Sequence, residues 1–240
     1  MGASNEAVAI LKHDMITEHG FVHGMFKSTH PTMNGPALDV LNAKTVEVFD
    51  KALRQFATPT KVNLFEWIGK QIMRATTDAI YGPFNPMRED QNIEAWSKYH
   101  PALMIRLHPK IHTDCIEQKI PDDDIPKFLV GTVFNNVANT VPTAFWVLYH
   151  IFSDAIVLQE CRNEVSQAVL SQDGTSTIDL TIVLNSCPIL LSTYQEIFRH
   201  HGMANSVRVV AEDHMLDNRY LLKKGGLVMI SARAQHSNPA

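Results

Sequence analysis

Apolar residues recur at intervals of three and four through most of the chain before residue 203, and this spacing constrains the fold more than any other feature. One such segment runs from 36 to 56, and another follows Asn63, a residue that can cap a helix. After Gly202 the pattern changes to short β-rich runs, SVRVV, RYLL and LVMIS, which are separated by turn-forming residues. The sequence therefore predicts a mainly α fold with a small β-sheet near the C-terminus.

Capping residues and prolines predict where the individual helices begin and end. The acidic run 122–124, followed by Pro126, predicts the start of a long helix that continues to about Phe152. Ser153 is the predicted cap of the next helix, which reaches Gln172 and is ended by Gly174. Other predicted boundaries are Gly82-Pro83 as a helix end, 92–99 as a short helix, and 188–202 as the last helix. Since no linker or repeat divides the chain, residues 1–240 are predicted to be one partial domain.

Composition and charge exclude several classes of protein. Hydrophobic residues at 45% and charged residues at 19% are typical of a folded globular chain, and a net charge of -4 gives no electrostatic reason to expect nucleic acid as a partner. The three cysteines have no Cys-x-x-Cys spacing, so neither a disulfide framework nor a structural zinc site is predicted. His19 and His23 have the spacing of two metal ligands, but no third ligand is placed beside them, and no metal site is predicted.

Two segments of the chain are candidates for membrane insertion. The first twenty residues do not resemble a signal peptide or an anchor. The segment 128–152 is long enough to span a bilayer, but Asn135, Asn136, Asn139 and Pro142 lie in its middle, where amides are costly in hydrocarbon. A small membrane protein therefore stays as a disfavoured alternative.

Glu196 and Arg199 are three residues apart on the last predicted helix. Pairs with this spacing are common on solvated helix faces, and that interpretation stays open. The many apolar neighbours in PILLSTYQEIFRHH favour a buried pair instead. Because arginine has five donors and one carboxylate cannot satisfy them all, a third partner is expected.

This helix begins a series of four motifs. The Glu-x-x-Arg segment is followed by an arginine on the next strand, Arg208, by the turn and strand LLKKGGLVMI, and by the His-x-x-Pro-like segment QHSNP at 235–239. In this order the motifs resemble the cytochrome P450 family of haem-thiolate monooxygenases. The resemblance implies that Arg208 holds a haem propionate and that the Glu196–Arg199 pair bonds a further arginine downstream of the sheet.

The central helix extends the resemblance. In the family it carries a small-Gly-x-acid-Thr-Thr signature beside the bound oxygen, and the aligned stretch here is 138–143, in which Val141 and Pro142 replace the acid and the first threonine. With the following Ala-Phe-Trp, this version is similar to the branch of sterol 7α- and 12α-hydroxylases and prostacyclin synthase. The implied catalytic residues are Asn139, Thr140, Pro142 and Thr143, with Ala138 against the haem and Ala204 and Ser206 as substrate contacts. Independently of the resemblance, a proline inside a helix predicts a bend and an unpaired Ala138 carbonyl. Such a bend either forms a polar notch at the oxygen site or is a kink that serves packing alone. For Ala204 and Ser206, packing of the loop is the alternative to substrate contact.

The resemblance also implies a function and its partners. A full-length relative would hydroxylate or isomerise a sterol, terpenoid or other lipid-like substrate at the endoplasmic reticulum membrane, with haem as cofactor and electrons from an NADPH-dependent reductase. This chain is about half the family's length and is expected to lack the N-terminal anchor and the C-terminal cysteine loop, so its own location is unknown or cytoplasmic. It is therefore expected to be inactive as this fragment. The alternative is a non-enzymatic helical remnant or binding protein.

Overall fold

A computed structural model of the chain describes residues 3–13, 19–20, 23–24, 27, 34–97, 115–125, 137–172, 174–202 and 204–238. They divide into two compact units, residues 1–142 and 143–240, and each is described here by itself. The organisation as one partial domain stays a prediction.

The described part of the first unit is helical. Its elements are α1 (Asn5–Lys12), α2 (Gly35–Arg54), α3 (Leu64–Tyr81), α4 (Asp90–Ser97) and two 3₁₀ turns, Gly82–Phe84 and Pro86–Arg88. Asn63 caps α3 as predicted, since its side chain accepts from the Glu66 N–H, and Gly82 ends the helix with a φ of 59°. The core lies between α2 and α3 and includes Ala52, Ile68, Ile72, Met73, Ala75 and Met87.

A buried carboxylate joins the end of α3 to the second 3₁₀ turn. Asp78 accepts hydrogen bonds from Arg88 Nε at 2.6 Å, Arg88 Nη2 at 3.0 Å and Asn85 Nδ2 at 2.9 Å. Burial raises the pKa of the Asp78 carboxyl, but the hydrogen bonds from Arg88 and Asn85 outweigh it, and the net pKa is lowered. Asp78 is therefore ionised in the folded state well below neutral pH.

The acidic run before Pro126 has a different role from the predicted one. Residues 122–124 form a turn, and Asp124 is buried, where it accepts from the Ser4 backbone N–H at 3.1 Å and from the Ser4 hydroxyl. The prediction treated all three carboxylates as partners of a helix dipole, whereas Asp124 is hydrogen-bonded to the start of α1. Residues 126–136 of the predicted long helix lie outside the described residues. Its continuity to Phe152 is contradicted at Asn139, which is in a turn.

The second unit combines helices with three small antiparallel strand pairs. Its helices are α5 (Thr140–Ser153, which begins in the first unit), α6 (Ala155–Ala168), α7 (Leu180–Ser186), α8 (Pro188–His201) and α9 (Ala232–Ser237). Its strands are β1 (Val169–Gln172), β2 (Thr175–Ile178), β3 (Asn205–Val209), β4 (His214–Leu216), β5 (Tyr220–Leu222) and β6 (Leu227–Ser231). The pairs are β1 with β2, β3 with β6, and β4 with β5. The prediction of a mainly α fold with β structure near the C-terminus is confirmed.

The predicted helix from Ser153 to Gln172 is shorter than expected. Its cap is Asp154, whose Oδ1 accepts from the Ile156 and Val157 N–H groups, and the helix ends at Ala168. The hairpin β1–β2 replaces its last turn. Gly174, with a φ of 76°, supplies the left-handed backbone that the hairpin turn needs. The prediction read Gly174 as a helix end and missed the β-branched residues on both sides of the turn.

The predicted boundaries of α8, after Pro188 and before Gly202, are confirmed. Strands β3, β5 and β6 fall on the three predicted β-rich runs, and β4 was not predicted. In the part of the chain that the structure describes, no single helix is long and apolar enough to cross a membrane, although α5 and α6 meet these criteria as a pair bent by 111°.

Candidate functional site

The predicted Glu196–Arg199 pair forms in α8, and it has a third partner. Arg199 Nε donates to Glu196 Oε2 at 2.8 Å, and Arg199 Nη2 donates to Glu196 Oε1. Arg199 Nη1 donates to the backbone carbonyl of His236 at 2.7 Å, and His236 Nδ1 lies 3.2 Å from the Arg199 carbonyl. These hydrogen bonds join α8 to α9. The hydrogen bond from Arg199 lowers the pKa of the Glu196 carboxyl, and the same bond raises the pKa of Arg199.

The prediction that this pair is buried is wrong. The Arg199 and Glu196 side chains are 48% and 61% exposed. Tyr194 and Phe198, two of the apolar neighbours that favoured burial, are themselves exposed. The buried residue of α8 in this region is Ile197. Because successive helix residues are about 100° apart, burying Ile197 does not bury both members of the pair. The further arginine implied by the resemblance stays a prediction.

The start of α8 is held by a side chain from another helix. Glu164 of α6 accepts from the Ile189 N–H through Oε1 at 2.8 Å and from the Leu190 N–H through Oε2 at 3.0 Å. A carboxylate at this position satisfies two unpaired helix donors and interacts favourably with the helix dipole. Sequence reasoning missed Glu164. The only signal in the sequence was that Cys187, the residue before α8, is a poor N-cap. This predicts that an acceptor from elsewhere in the fold caps the helix, but it does not identify Glu164.

Arg208 lies on β3, opposite Val228 of β6, with its side chain exposed. Its Nη1 donates to the Val207 carbonyl at 2.9 Å. Among the described residues no carboxylate is within ion-pair distance of Arg208, so most of its guanidinium donors remain for a ligand. This arrangement fits the carboxylate of a haem propionate.

The two predicted substrate contacts lie beside Arg208. Ser206 is on β3 opposite Ile230, and Ala204 precedes β3 and accepts from the Ala232 N–H at 2.9 Å. Both are exposed. In the second unit, therefore, Glu196 and Arg199 are brought together, Ala204 lies just before β3, and Ser206 and Arg208 lie on that strand.

The predicted oxygen-binding stretch contains the boundary between the two units. Ala138 is helical and half-buried, Asn139 is an exposed turn residue, and α5 begins at Thr140, which is also exposed. Thr143 is half-buried and belongs to the second unit. Pro142 is the third residue of α5, in the first turn, where a backbone N–H has no partner within the helix. Residues 137–138 are also helical, and the one-residue turn at Asn139 separates them from α5, so the predicted bend at Pro142 stays a prediction.

Each of the three cysteines is buried. Cys115, Cys161 and Cys187 are buried free thiols. Burial raises the pKa of Cys161 and of Cys187, and the carboxylate of Glu164 raises both further. The sulfur atoms of all three are therefore enclosed by protein, whereas the Arg208 side chain is exposed. The donors of Arg208 fit a haem propionate, and none of these three sulfur atoms is presented at the protein surface.

Comparison with known proteins gives these motifs a context. Residues 31–240 match the sequence model of the family described as Cytochrome P450. The cytochrome P450 monooxygenase nodJ of Hypoxylon pulicicidum is 28% identical over 97% of this chain and 53% of its own length. A cytochrome P450 monooxygenase of Gibberella zeae is 23% identical over 94% of this chain and 52% of its own length.

A third relative matches the branch suggested by the central helix. The cholesterol 7-alpha-monooxygenase of Cricetulus griseus is 29% identical over 50% of this chain and 25% of its own length. The chain spans about half the length of the two fungal relatives. The Glu-x-x-Arg pair on α8, the arginine on β3 and the match over residues 31–240 lead to one conclusion: the chain belongs to the cytochrome P450 family.

Proposed function

We propose that this chain carries part of a haem monooxygenase that acts on a sterol, terpenoid or other lipid-like substrate. The family's cofactor, haem, would supply the iron at which dioxygen is activated. The observation that carries the proposal is the exposed guanidinium of Arg208 on β3, directly after the helix with the Glu196–Arg199 pair. The remaining roles concern what the chain's own residues bind and orient.

Arg208 is proposed to bind a haem propionate. Its planar fork of donors matches a carboxylate, and a bidentate pair of this kind fixes orientation as well as position. Among the residues that the structure describes, its side chain bonds the Val207 carbonyl through Nη1, and the guanidinium is exposed to solvent. The Glu196–Arg199–His236 connection holds α8 against α9, and α9 follows β6, the partner strand of β3. The pair is thus a positioning element for the strand that carries Arg208.

The stretch from 138 to 143 is proposed to lie on the oxygen side of the haem. Asn139 and Thr140 present exposed polar side chains, and Thr143 is half-buried one turn further along α5. In this role their amide and hydroxyl groups would orient water, oxygen or a substrate hydroxyl and move a proton. Pro142 would leave the first turn of α5 without one N–H, and Ala138 would allow close approach of the flat cofactor.

Ala204 and Ser206 are proposed as substrate contacts. Both are exposed next to Arg208, and a relative named cholesterol 7-alpha-monooxygenase supports a sterol-like substrate class. Substitution Ser206→Arg would place a charge where an apolar molecule is expected. Equilibrium dialysis with a radiolabelled sterol should show weaker binding for this variant than for Ser237→Arg, and equal binding would argue against the assignment.

We also propose that the 240-residue chain does not by itself form a thiolate-ligated haem, because its three cysteines are buried thiols. The alternative, a helical binding protein without catalysis, needs no haem contact at Arg208. Titration of the purified chain with haemin, followed by absorbance, separates the two. Arg208→Ala should weaken haemin binding several-fold and the matched exposed arginine variant Arg219→Ala should not. Equal haemin affinities for the wild type and Arg208→Ala would contradict the proposed propionate contact.

An NADPH-dependent reductase as electron donor and the endoplasmic reticulum membrane as location are proposed for the full-length protein only. Both rest on the family assignment. Cell fractionation with a tagged full-length protein, and NADPH oxidation in the presence of its reductase, would test them. A full-length protein found in the cytosol, or one whose haem is not reduced by NADPH and reductase, would contradict them.

A further inference from the structure

A cleft of about 680 Å³ in the second unit contains two histidines in direct contact. His150, in the last turn of α5, and His201, the last residue of α8, have their Nε2 atoms 3.0 Å apart. The cleft is also lined by Ser153, Asp154, Val157, Ser192, Thr193, Glu196, Ile197 and His200. The sequence gives no direct signal for this contact, because His150 and His201 are 51 residues apart.

The separation of the two nitrogens matches a shared metal ion. Metal–imidazole bonds are about 2.0–2.1 Å long, so two of them with nitrogens at this separation meet at an angle of roughly 90°. That angle corresponds to neighbouring positions in square-planar or octahedral coordination, which Cu²⁺ and Ni²⁺ adopt with nitrogen ligands. A divalent ion would replace the direct contact between the two Nε2 atoms.

The rings are held in place before any ion binds. His201 stacks on Trp146 with ring centroids 4.0 Å apart and planes 9° from parallel, and His150 lies 5.9 Å from the same indole. Both imidazole rings therefore contact the same indole, which restricts how far either ring can turn.

We propose that His150 and His201 form a two-imidazole site for a divalent transition-metal ion, with their Nε2 atoms as ligands and water completing the coordination. Within the described residues no group of three or more His, Cys, Asp or Glu side chains is arranged to hold a metal ion, so protein ligands beyond the pair are not invoked. The bound ion would link the C-terminal ends of α5 and α8. It would thereby stabilise the unit that contains Glu196 and Arg199.

Titration calorimetry with Ni²⁺ on the EDTA-treated chain tests the site. The wild type should show one site tighter than the background of its other histidines. His150→Ala and His201→Ala should each weaken that site on the order of 100-fold, because one ligand then binds without the other. His200→Ala, in the same cleft, and His214→Ala, on β4, are the matched controls and should bind as the wild type does. Unchanged Ni²⁺ affinity in both His150→Ala and His201→Ala would overturn the proposal.

A second measurement needs no variant and so does not depend on how the substitutions fold. Electron paramagnetic resonance of the wild-type chain with less than one equivalent of Cu²⁺ should show coupling to two equatorial imidazole nitrogens. The same ion should quench the fluorescence of Trp146, which stacks on His201. A Cu²⁺ signal with one imidazole nitrogen or none would also overturn the proposal.

Discussion

The carboxylate of Glu164 is predicted to hold the helix that carries the Glu-x-x-Arg pair. Glu164→Ala removes the acceptors of two backbone N–H groups, those of Ile189 and Leu190, at the start of α8. The N-cap residue Cys187 makes no side-chain capping hydrogen bond, so it does not replace the lost carboxylate oxygens as an acceptor. The substitution also removes a negative charge from the positive end of the helix dipole.

The expected cost follows from these contacts. Loss of a helix cap costs typically about 1 kcal/mol, and loss of the favourable charge at the helix start adds roughly 0.3–1 kcal/mol. With two donors left unpaired, Glu164→Ala should lower the free energy of unfolding by about 2 kcal/mol. For a chain of this size that corresponds to a Tm lower by about 4–8 °C. Glu164→Gln, which keeps one carbonyl oxygen without the charge, should fall between wild type and alanine.

Thermal unfolding followed by circular dichroism measures this effect, with Glu160→Ala as the matched control. Glu160 lies one turn earlier on α6 and is exposed, so its removal should leave the Tm nearly unchanged. Hydrogen exchange adds a local readout, since the amides of Ile189 and Leu190 should lose protection in Glu164→Ala. If Glu164→Ala and Glu160→Ala melt together and these two amides stay protected, the remote cap does not exist in solution.

Three further predictions test individual elements of the fold. The pKa of Asp78 is lowered in the folded state, so its contribution to stability is present above the unfolded pKa of about 3.9 and is lost as the pH falls through the lower folded value. Thermal melts should show a loss of stability below pH of about 4 that is smaller in Asp78→Asn; parallel pH profiles would count against the Arg88 contact. Gly174→Ala should destabilise the β1–β2 hairpin by about 1–2 kcal/mol in urea unfolding, because φ is 76° there, and Gly174→Asn by less; equal stability of all three would mean the turn is not left-handed. Pro142→Ala should be neutral or slightly destabilising by about 0.4–1 kcal/mol, since proline lies in the first turn of α5. A gain of about 3 kcal/mol would instead indicate a mid-helix proline.

Local signals in the sequence predicted the helices well. The cap at Asn63, the stop at Gly82 and the boundaries of α8 at Pro188 and Gly202 all depend on residues within a few positions of the helix end. The same is true of the β-rich runs that become β3, β5 and β6. The β1–β2 hairpin was missed because Gly174 is compatible with either a helix end or a tight turn, and only the paired strand decides between them.

Features that depend on distant residues could not be predicted in the same way. Glu164 and Asp124 act on helix starts 25 and 120 residues away in the sequence. The Glu196–Arg199 pair was predicted from spacing and the need for a third partner from donor counting, yet that partner is the backbone carbonyl of His236, which has no side-chain signature. Exposure of the pair was mispredicted, because apolar neighbours do not determine which face of a helix is covered.

We propose above all that Arg208 binds a haem propionate and that none of the three buried cysteines is a thiolate ligand of the iron. The reduced carbon-monoxide difference spectrum of the purified 240-residue chain, reconstituted with haemin, tests it most directly. The account predicts haem absorbance that decreases in Arg208→Ala and a carbon-monoxide spectrum without the band of a thiolate-ligated iron. A thiolate-type band from this chain, or haem absorbance that is the same with and without Arg208, would contradict it.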